Sequence, residues 1–110
     1  MQFDVKKNGD ATIFKLKERR LDASVSPELK GEFLILCRPE VKHLIVDLSE
    51  VEFCDSSGLS ALLIAERKMR EYGGLVKLAG LQKKVHSLMK ISHLDRAFAI
   101  YDTVAKALKA

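Results

Sequence analysis

The amino-acid sequence predicts an α/β domain in which helices pack on a mixed β-sheet. Short apolar runs rich in branched residues, such as residues 43–48 and 75–79, alternate with longer segments whose apolar residues recur at helical spacing. The chain has 110 residues, of which 47% are hydrophobic and 31% charged. A domain of this length buries a core without disulfides or metal. We therefore expect a single domain over residues 1–110, with about five strands and about four helices.

The first two strands are expected to form a hairpin that opens the sheet. Phe3 and Val5 alternate with polar neighbours. Asn8-Gly9-Asp10 is typical of a tight turn, because asparagine and glycine readily adopt positive φ. Residues 12–16 then supply the second strand.

A first helix is predicted around Pro27, a residue that suits the first turn of a helix. Ser24 or Ser26 is its predicted cap, and Pro39 ends it. The apolar residues that recur at helical spacing in this segment are Val25, Leu29, Phe33 and Leu36.

The remainder of the chain alternates strand and helix. Residues 43–48 predict a central parallel strand that is covered by helices, and residues 49–55 predict a loop. A helix is then predicted from Ser57 to about Tyr72, and it ends at Gly73-Gly74. A strand over 75–79 and a helix over 82–91 follow. The last elements are a strand over 97–100 and a helix that is capped by Asp102 and runs through Leu108.

Charge and hydropathy exclude two classes of partner. The net charge is +4, and the basic residues form separated pairs (Lys6-Lys7, Arg19-Arg20, Lys83-Lys84) rather than a stripe. With 6% aromatic residues, this argues against direct nucleic-acid binding. No apolar run approaches the ~20 residues that cross a bilayer. The N-terminus lacks the basic and apolar segments of a secretory signal, so we expect a cytoplasmic protein.

No motif for catalysis or cofactor binding is present. The sequence has neither a P-loop nor a GxGxxG run, and Ser57 lacks the glycine two residues before it that a GxSxG nucleophile needs. Cys37 and Cys54 show no zinc-ligand spacing, and their apolar neighbours predict buried, reduced thiols. We predict a protein that is not an enzyme and that holds no metal or cofactor.

The most informative segment runs from Asp47 to Leu59, where a buried strand ends and two serines stand at the start of a helix. Asp55, Ser56 or Ser57 can cap this helix, which stabilises it by ~1 kcal/mol. Alternatively, one of the serines accepts a phosphate, because the N-terminus of a helix favours an anion. The residues alone leave both interpretations open.

The segment from Val46 to Leu59, with its Asp-Ser-Ser-Gly-Leu element, resembles the signature of the STAS family, specifically of bacterial anti-sigma factor antagonists. The resemblance extends over nearly the whole chain. Further matching segments are Arg20-Leu21-Asp22-Ala23 followed by Pro27-Glu28-Leu29, then Gly73 to Leu81, and Ile91 to Phe98.

This resemblance implies the STAS fold and a partner-switching function. Family members bind an anti-sigma factor that is also a serine kinase, and this binding frees the sigma factor. The kinase then phosphorylates the second serine of the element, which is Ser57 here (Ser56 is the alternative), and a phosphatase resets the protein. Ser60 lies inside the helix start and is a poor acceptor. The implied partner-binding residues are Asp22, Asp55, Ser56, Ser57, Gly58 and Leu59.

A second function remains open at this point. Some members of the family are constitutive scaffold or interaction modules in stressosome-like or lipid-transport complexes, where the serines only cap the helix. The intact Asp-Ser-Ser-Gly element favours the switch. We expect a monomer or weak dimer with a protein partner, without direct contact to nucleic acid and without a membrane span.

Overall fold

The computed structural model describes residues 1–110. The strands are β1 (Phe3–Asn8), β2 (Ala11–Leu16), β3 (Arg20–Leu21), β4 (His43–Asp47), β5 (Phe53–Cys54), β6 (Leu75–Ala79) and β7 (Ala99–Tyr101). The helices are α1 (Ser26–Leu36), α2 (Ser56–Glu71), α3 (Lys83–Ile91) and α4 (Val104–Lys109), with a 3-10 turn over Leu94–Arg96.

The main sheet has five strands in the order β1-β2-β4-β6-β7. β1 and β2 form the predicted antiparallel hairpin, and the other neighbours are parallel. The predicted fold class is therefore confirmed: a mixed sheet of five strands, opened by a hairpin, with four α-helices packed on it. No helix is both long and apolar enough to span a membrane.

Alternation along the central strands divides the core between the two faces of the sheet. Leu44 and Val46 of β4 point into the larger cluster, which also contains Leu29 of α1 and Leu62 of α2. Ile45 points the other way, into a smaller cluster covered by α4. α1 and α2 both pack on the larger cluster, and the contact between Ser26 and Ser57 in their first turns places the starts of both helices at the same edge.

A buried lysine fastens α4 to the sheet. Lys77 lies in the middle of β6 and is 3% exposed. Its Nζ donates hydrogen bonds to the backbone oxygens of Ala107 (2.9 Å) and Ala110 (3.1 Å). These carbonyls are at the negative end of a helix and lack partners within it, so the ammonium satisfies them and is itself compensated.

A second, two-stranded sheet was not predicted from the sequence. β3 pairs in parallel with β5, with Arg20 opposite Phe53 and Leu21 opposite Cys54. Residues 53 and 54 were assigned to the loop over 49–55, because a strand of two residues carries no detectable alternation.

Two predicted helix caps are wrong. Neither Ser24 nor Ser26 accepts a capping hydrogen bond at α1, whose N-cap position is Val25. At α4 the cap is Thr103, which accepts from the Lys106 N–H at 3.1 Å, while Asp102 forms an ion pair with the Lys106 ammonium. The predicted left-handed end of α2 is confirmed, since Gly73 has φ +77°.

Both cysteines are buried and free, as predicted. Burial raises the pKa of the Cys37 thiol to about 11 and that of the Cys54 thiol to about 12. The thiolate is the reactive form, so both residues act in the fold as small hydrophobic groups. The buried Nδ1 of His43, at the start of β4, has no hydrogen-bond partner.

Candidate functional site at the start of α2

The small parallel sheet brings two carboxylates to one edge of the domain. β3 ends at Leu21 and β5 ends at Cys54, and these two residues pair directly. The following residues, Asp22 and Asp55, therefore emerge side by side. Asp22 leads into α1, and Asp55 is the residue before α2. Two segments that are far apart in the sequence thus form one surface.

Asp55 caps α2. Its Oδ1 accepts hydrogen bonds from the backbone N–H groups of Ser57 (3.0 Å) and Gly58 (3.1 Å) and from the Ser57 hydroxyl (2.6 Å). The hydroxyl bond, more than the two amide bonds, lowers the pKa of the Asp55 carboxyl below its usual range, against a smaller opposing effect of the Asp22 charge. Of the three capping candidates, Asp55 is the one that caps, and it occupies amides that an anion would otherwise bind.

Ser57 is half-buried between Asp55 and a second serine. A carboxylate oxygen only accepts, so the Ser57 hydroxyl donates its proton to Asp55. The hydroxyl of Ser26, which is 2% exposed, lies 3.1 Å from the Ser57 Oγ and 2.8 Å from the backbone oxygen of Asp22. The orientation of the Ser57 hydroxyl is thus determined by neighbours on both sides.

Asp22 is held in a turn at the start of α1. Its carboxylate accepts from the Ser24 hydroxyl (2.6 Å) and backbone N–H (3.0 Å), and it pairs with Arg20 (3.2 Å). The Ser24 hydroxyl is the main reason that the pKa of Asp22 is lowered, followed by the Ser24 amide and the Arg20 side chain. Asp22 and Asp55 are therefore both anionic at neutral pH.

Gly58 and Leu59 lie under this surface rather than on it, because both are buried. A Cβ at position 58 would lie 2.5 Å from the Leu21 carbonyl oxygen and 2.8 Å from the Cys54 Sγ. No side chain fits there, so glycine allows α2 to approach the β3–β5 pair. Ser56 and Ser60 are exposed.

The structure brings the predicted residues Asp22, Asp55 and Ser57 together, with Ser56 beside them on the exposed side. The contact of Ser26 with Ser57 was not predicted, and Ser26 was expected only as a possible cap, because the contact joins residues 31 positions apart. The only signal in the sequence was that Ser26 follows Asp22 by four residues.

The capping role of Asp55 predicts a stability difference that depends on pH. The pKa of Asp55 is lower in the folded protein than in the unfolded chain, where it is about 3.9. The charged carboxylate therefore stabilises the fold at pH values above about 3.9. This stabilisation is lost as the pH falls through the lower, folded-state pKa. We expect Asp55→Asn to be less stable than the parent at pH 7 and the difference to vanish at strongly acidic pH. Urea unfolding across this range measures it, and a difference that is independent of pH would contradict the assignment.

Comparison with known proteins identifies the same family as the resemblance of the segment from Val46 to Leu59. The profile of the STAS domain family matches residues 2–107. An anti-sigma F factor antagonist of Paenibacillus polymyxa is 31% identical over 71 residues, which are 64% of this chain and 61% of that protein. The aligned segments span between 55% and 61% of the length of the curated relatives that the chain matches.

Solved structures share the architecture over almost the whole chain. A crystallised Thermotoga maritima protein, described as a candidate anti-sigma factor antagonist, is 26% identical with a TM-score of 0.86, covering 97% of this chain and 92% of its own. The Bacillus protein SpoIIAA in its phosphorylated form is 17% identical with a TM-score of 0.76, covering 98% and 97%, which is a likeness of fold alone. The chain belongs to the STAS domain family.

Proposed function

We propose that this protein is an anti-sigma factor antagonist that is switched by phosphorylation of Ser57. It binds an anti-sigma factor that is also a serine kinase, and this binding releases the sigma factor. The observation that carries the proposal is the oriented Ser57 hydroxyl, held by Asp55 at 2.6 Å on the edge that also carries Asp22. The similarity to anti-sigma factor antagonists supports the same function.

The hydroxyl geometry suits phosphoryl transfer from ATP. The reaction forms a bond between the Ser57 Oγ and the γ-phosphorus, breaks the bond from that phosphorus to the β–γ bridging oxygen, and takes the hydroxyl proton to a base. Because the Ser57 proton already points to Asp55, an oxygen lone pair is free to face the kinase. Asp55 acts as an orienting residue in this account, since its lowered pKa makes it a weak base.

Phosphorylation acts on the partner through charge. It adds about 1.5 to 2 negative charges beside Asp22 and Asp55, and it removes the hydroxyl proton that Ser57 donates to Asp55. A partner surface that accommodates the two carboxylates then meets a third, stronger anion. Buried unpaired charge is costly, so the modified protein dissociates and a separate phosphatase restores it.

The predicted partner-binding residues do not all contact the partner directly. We assign direct contact with the partner to Asp22, Asp55, Ser56 and Ser57. Gly58 and Leu59, which are buried, support that surface from below. We expect the exchange to take place in the cytoplasm, with the antagonist acting as a monomer or weak dimer.

A displacement assay tests the function. The purified anti-sigma kinase encoded nearest to this gene is bound to its labelled sigma factor, and the antagonist is added without ATP and then with ATP. We expect release of the sigma factor in the first step and its recapture in the second, with Ser57→Ala releasing it permanently. No release by the parent protein, together with stable incorporation into a transporter or stressosome-like assembly, would support the scaffold alternative instead.

A further inference from the structure

An apolar groove runs between β5 and α3, close to the candidate site. It has a volume of about 580 Å³ and is lined by Phe53, Cys54, Lys83, Lys84, Ser87, Leu88 and Ile91, which we call the α3 groove. Two of its apolar side chains face solvent, since Phe53 is 40% exposed and Ile91 is 76% exposed. Their exposure leaves apolar surface that a partner can bury.

Two lysines that form no ion pair lie at one end of the groove. Lys83 and Lys84 are the first two residues of α3, and both are exposed. Neither forms an ion pair, although the charge of Lys84 contributes to lowering the pKa of the Glu52 carboxyl. They lie at the positive end of a helix dipole, where cations are unfavourable. The preceding residue, Gln82, provides no cap, because its side-chain amide donates to the backbone oxygen of Ser49 at 2.8 Å.

Two arginines lie beside this end of the groove, and both are already in ion pairs, Arg20 with Asp22 at 3.2 Å and Arg19 with Glu52. Arg20 lies over the Phe53 ring, with its guanidinium carbon 4.4 Å from the ring centroid. Arg19 and Glu52 form a two-point ion pair at 2.9 and 3.2 Å and neutralise each other. Lys83 and Lys84 are thus the cations at this end of the groove that have no ion-pair partner, and an occupant with carboxylates would be complementary to them.

We propose that the α3 groove docks an acidic segment of the anti-sigma partner, which places an apolar side chain against Phe53 and Ile91 and carboxylates against Lys83 and Lys84. This inference rests on the proposed function and adds a second contact to it. A protein segment is favoured over a flat membrane surface because the apolar residues line a concave site.

The groove and the switch surface are continuous but opposite in charge. Cys54 lies in the groove, and the next residue, Asp55, holds Ser57. A partner therefore meets a positive region at α3 and a negative region at Asp22 and Asp55. Because rotation of the partner would place like charges together, this pattern selects one docking orientation, in which the kinase active site faces Ser57.

Binding kinetics with the purified anti-sigma kinase test the proposal. The charge variant is Lys83→Glu combined with Lys84→Glu, and acidic residues at a helix start favour folding. Its control is Lys6→Glu combined with Lys7→Glu, another exposed and unpaired lysine pair, located on β1. The apolar variant is Ile91→Ser, and its control is Ile35→Ser on α1, where the parent side chain is 57% exposed.

We expect the charge variant to bind about tenfold more weakly, mainly through slower association that becomes less sensitive to salt. Ile91→Ser is expected to bind about tenfold more weakly through faster dissociation, with both controls within about twofold of the parent. Parent-like binding of the groove variants, while the parent binds, overturns the docking site alone. Absence of parent binding overturns the proposed function and the docking site with it.

Two other occupants are tested in parallel. If the groove variants abolish a concentration-dependent dimer in sedimentation velocity, the groove is a self-association surface and the proposal is wrong. If vesicles of phosphatidylserine bind the parent but not the charge variant, the occupant is an anionic membrane, and the proposal is equally wrong.

Discussion

Replacing Gly58 by alanine is expected to destabilise the protein by about 3 kcal/mol. The added Cβ would lie 2.5 Å from the Leu21 carbonyl oxygen, 2.7 Å from the Leu21 Cγ and 2.8 Å from the Cys54 Sγ. The closest of these atoms belongs to backbone that also accepts the Asp55 N–H hydrogen bond, so it cannot move away at little cost. α2 must therefore shift away from the β3–β5 pair.

Gly31 provides the matched control, because it is also a helical glycine but has no atom within 4 Å of an added Cβ. In an exposed helix, alanine is more favourable than glycine, so Gly31→Ala is expected to stabilise the protein by about 0.5 to 1 kcal/mol. Urea unfolding of both variants provides the comparison. Equal stability of Gly58→Ala and the parent would show that α2 does not depend on this close approach.

Ser57→Asp is expected to weaken binding to the anti-sigma kinase by about 100-fold, because it places a third carboxylate beside Asp22 and Asp55. Ser57→Ala is expected to bind like the parent, since it adds no charge. Calorimetric titration of both variants against the kinase measures the difference.

The control for this charge is Ser60→Asp, in which the new carboxylate lies at an exposed position of the same helix. We expect it to bind within about threefold of the parent. Unfolding curves for all three variants separate lost affinity from lost stability, because Ser57→Asp also removes the hydrogen bond to Asp55. Tight binding of a folded Ser57→Asp variant would contradict the switch.

Long patterns along the chain predicted most of the fold. The branched, apolar residues of β4 and β6 and the helical spacing in α2 require no knowledge of tertiary structure, and these elements lie where the sequence places them. The last strand was predicted over 97–100 but occupies Ala99–Tyr101. Phe98, which suggested a strand, is buried before the strand begins.

The features that could not be predicted depend on contacts between distant segments. Nothing in the sequence shows that Arg20-Leu21 pairs with Phe53-Cys54, and this pairing places Asp22 beside Asp55. The hydrogen bond between Ser26 and Ser57 and the tight fit of Gly58 follow from the same approach. The burial of Lys77 could not be predicted either, because its hydrogen-bond partners are backbone oxygens at the end of α4.

Phosphopeptide mapping after incubation with the anti-sigma kinase and ATP tests the central claim most directly. Accessibility alone favours Ser56, which is exposed, whereas hydrogen-bonded orientation favours Ser57, which is half-buried. We predict phosphate on Ser57 of the parent, retention of that phosphate in Ser56→Ala and its loss in Ser57→Ala. Phosphate on Ser56 or Ser60 of the parent, or on none of the three serines, would contradict the account.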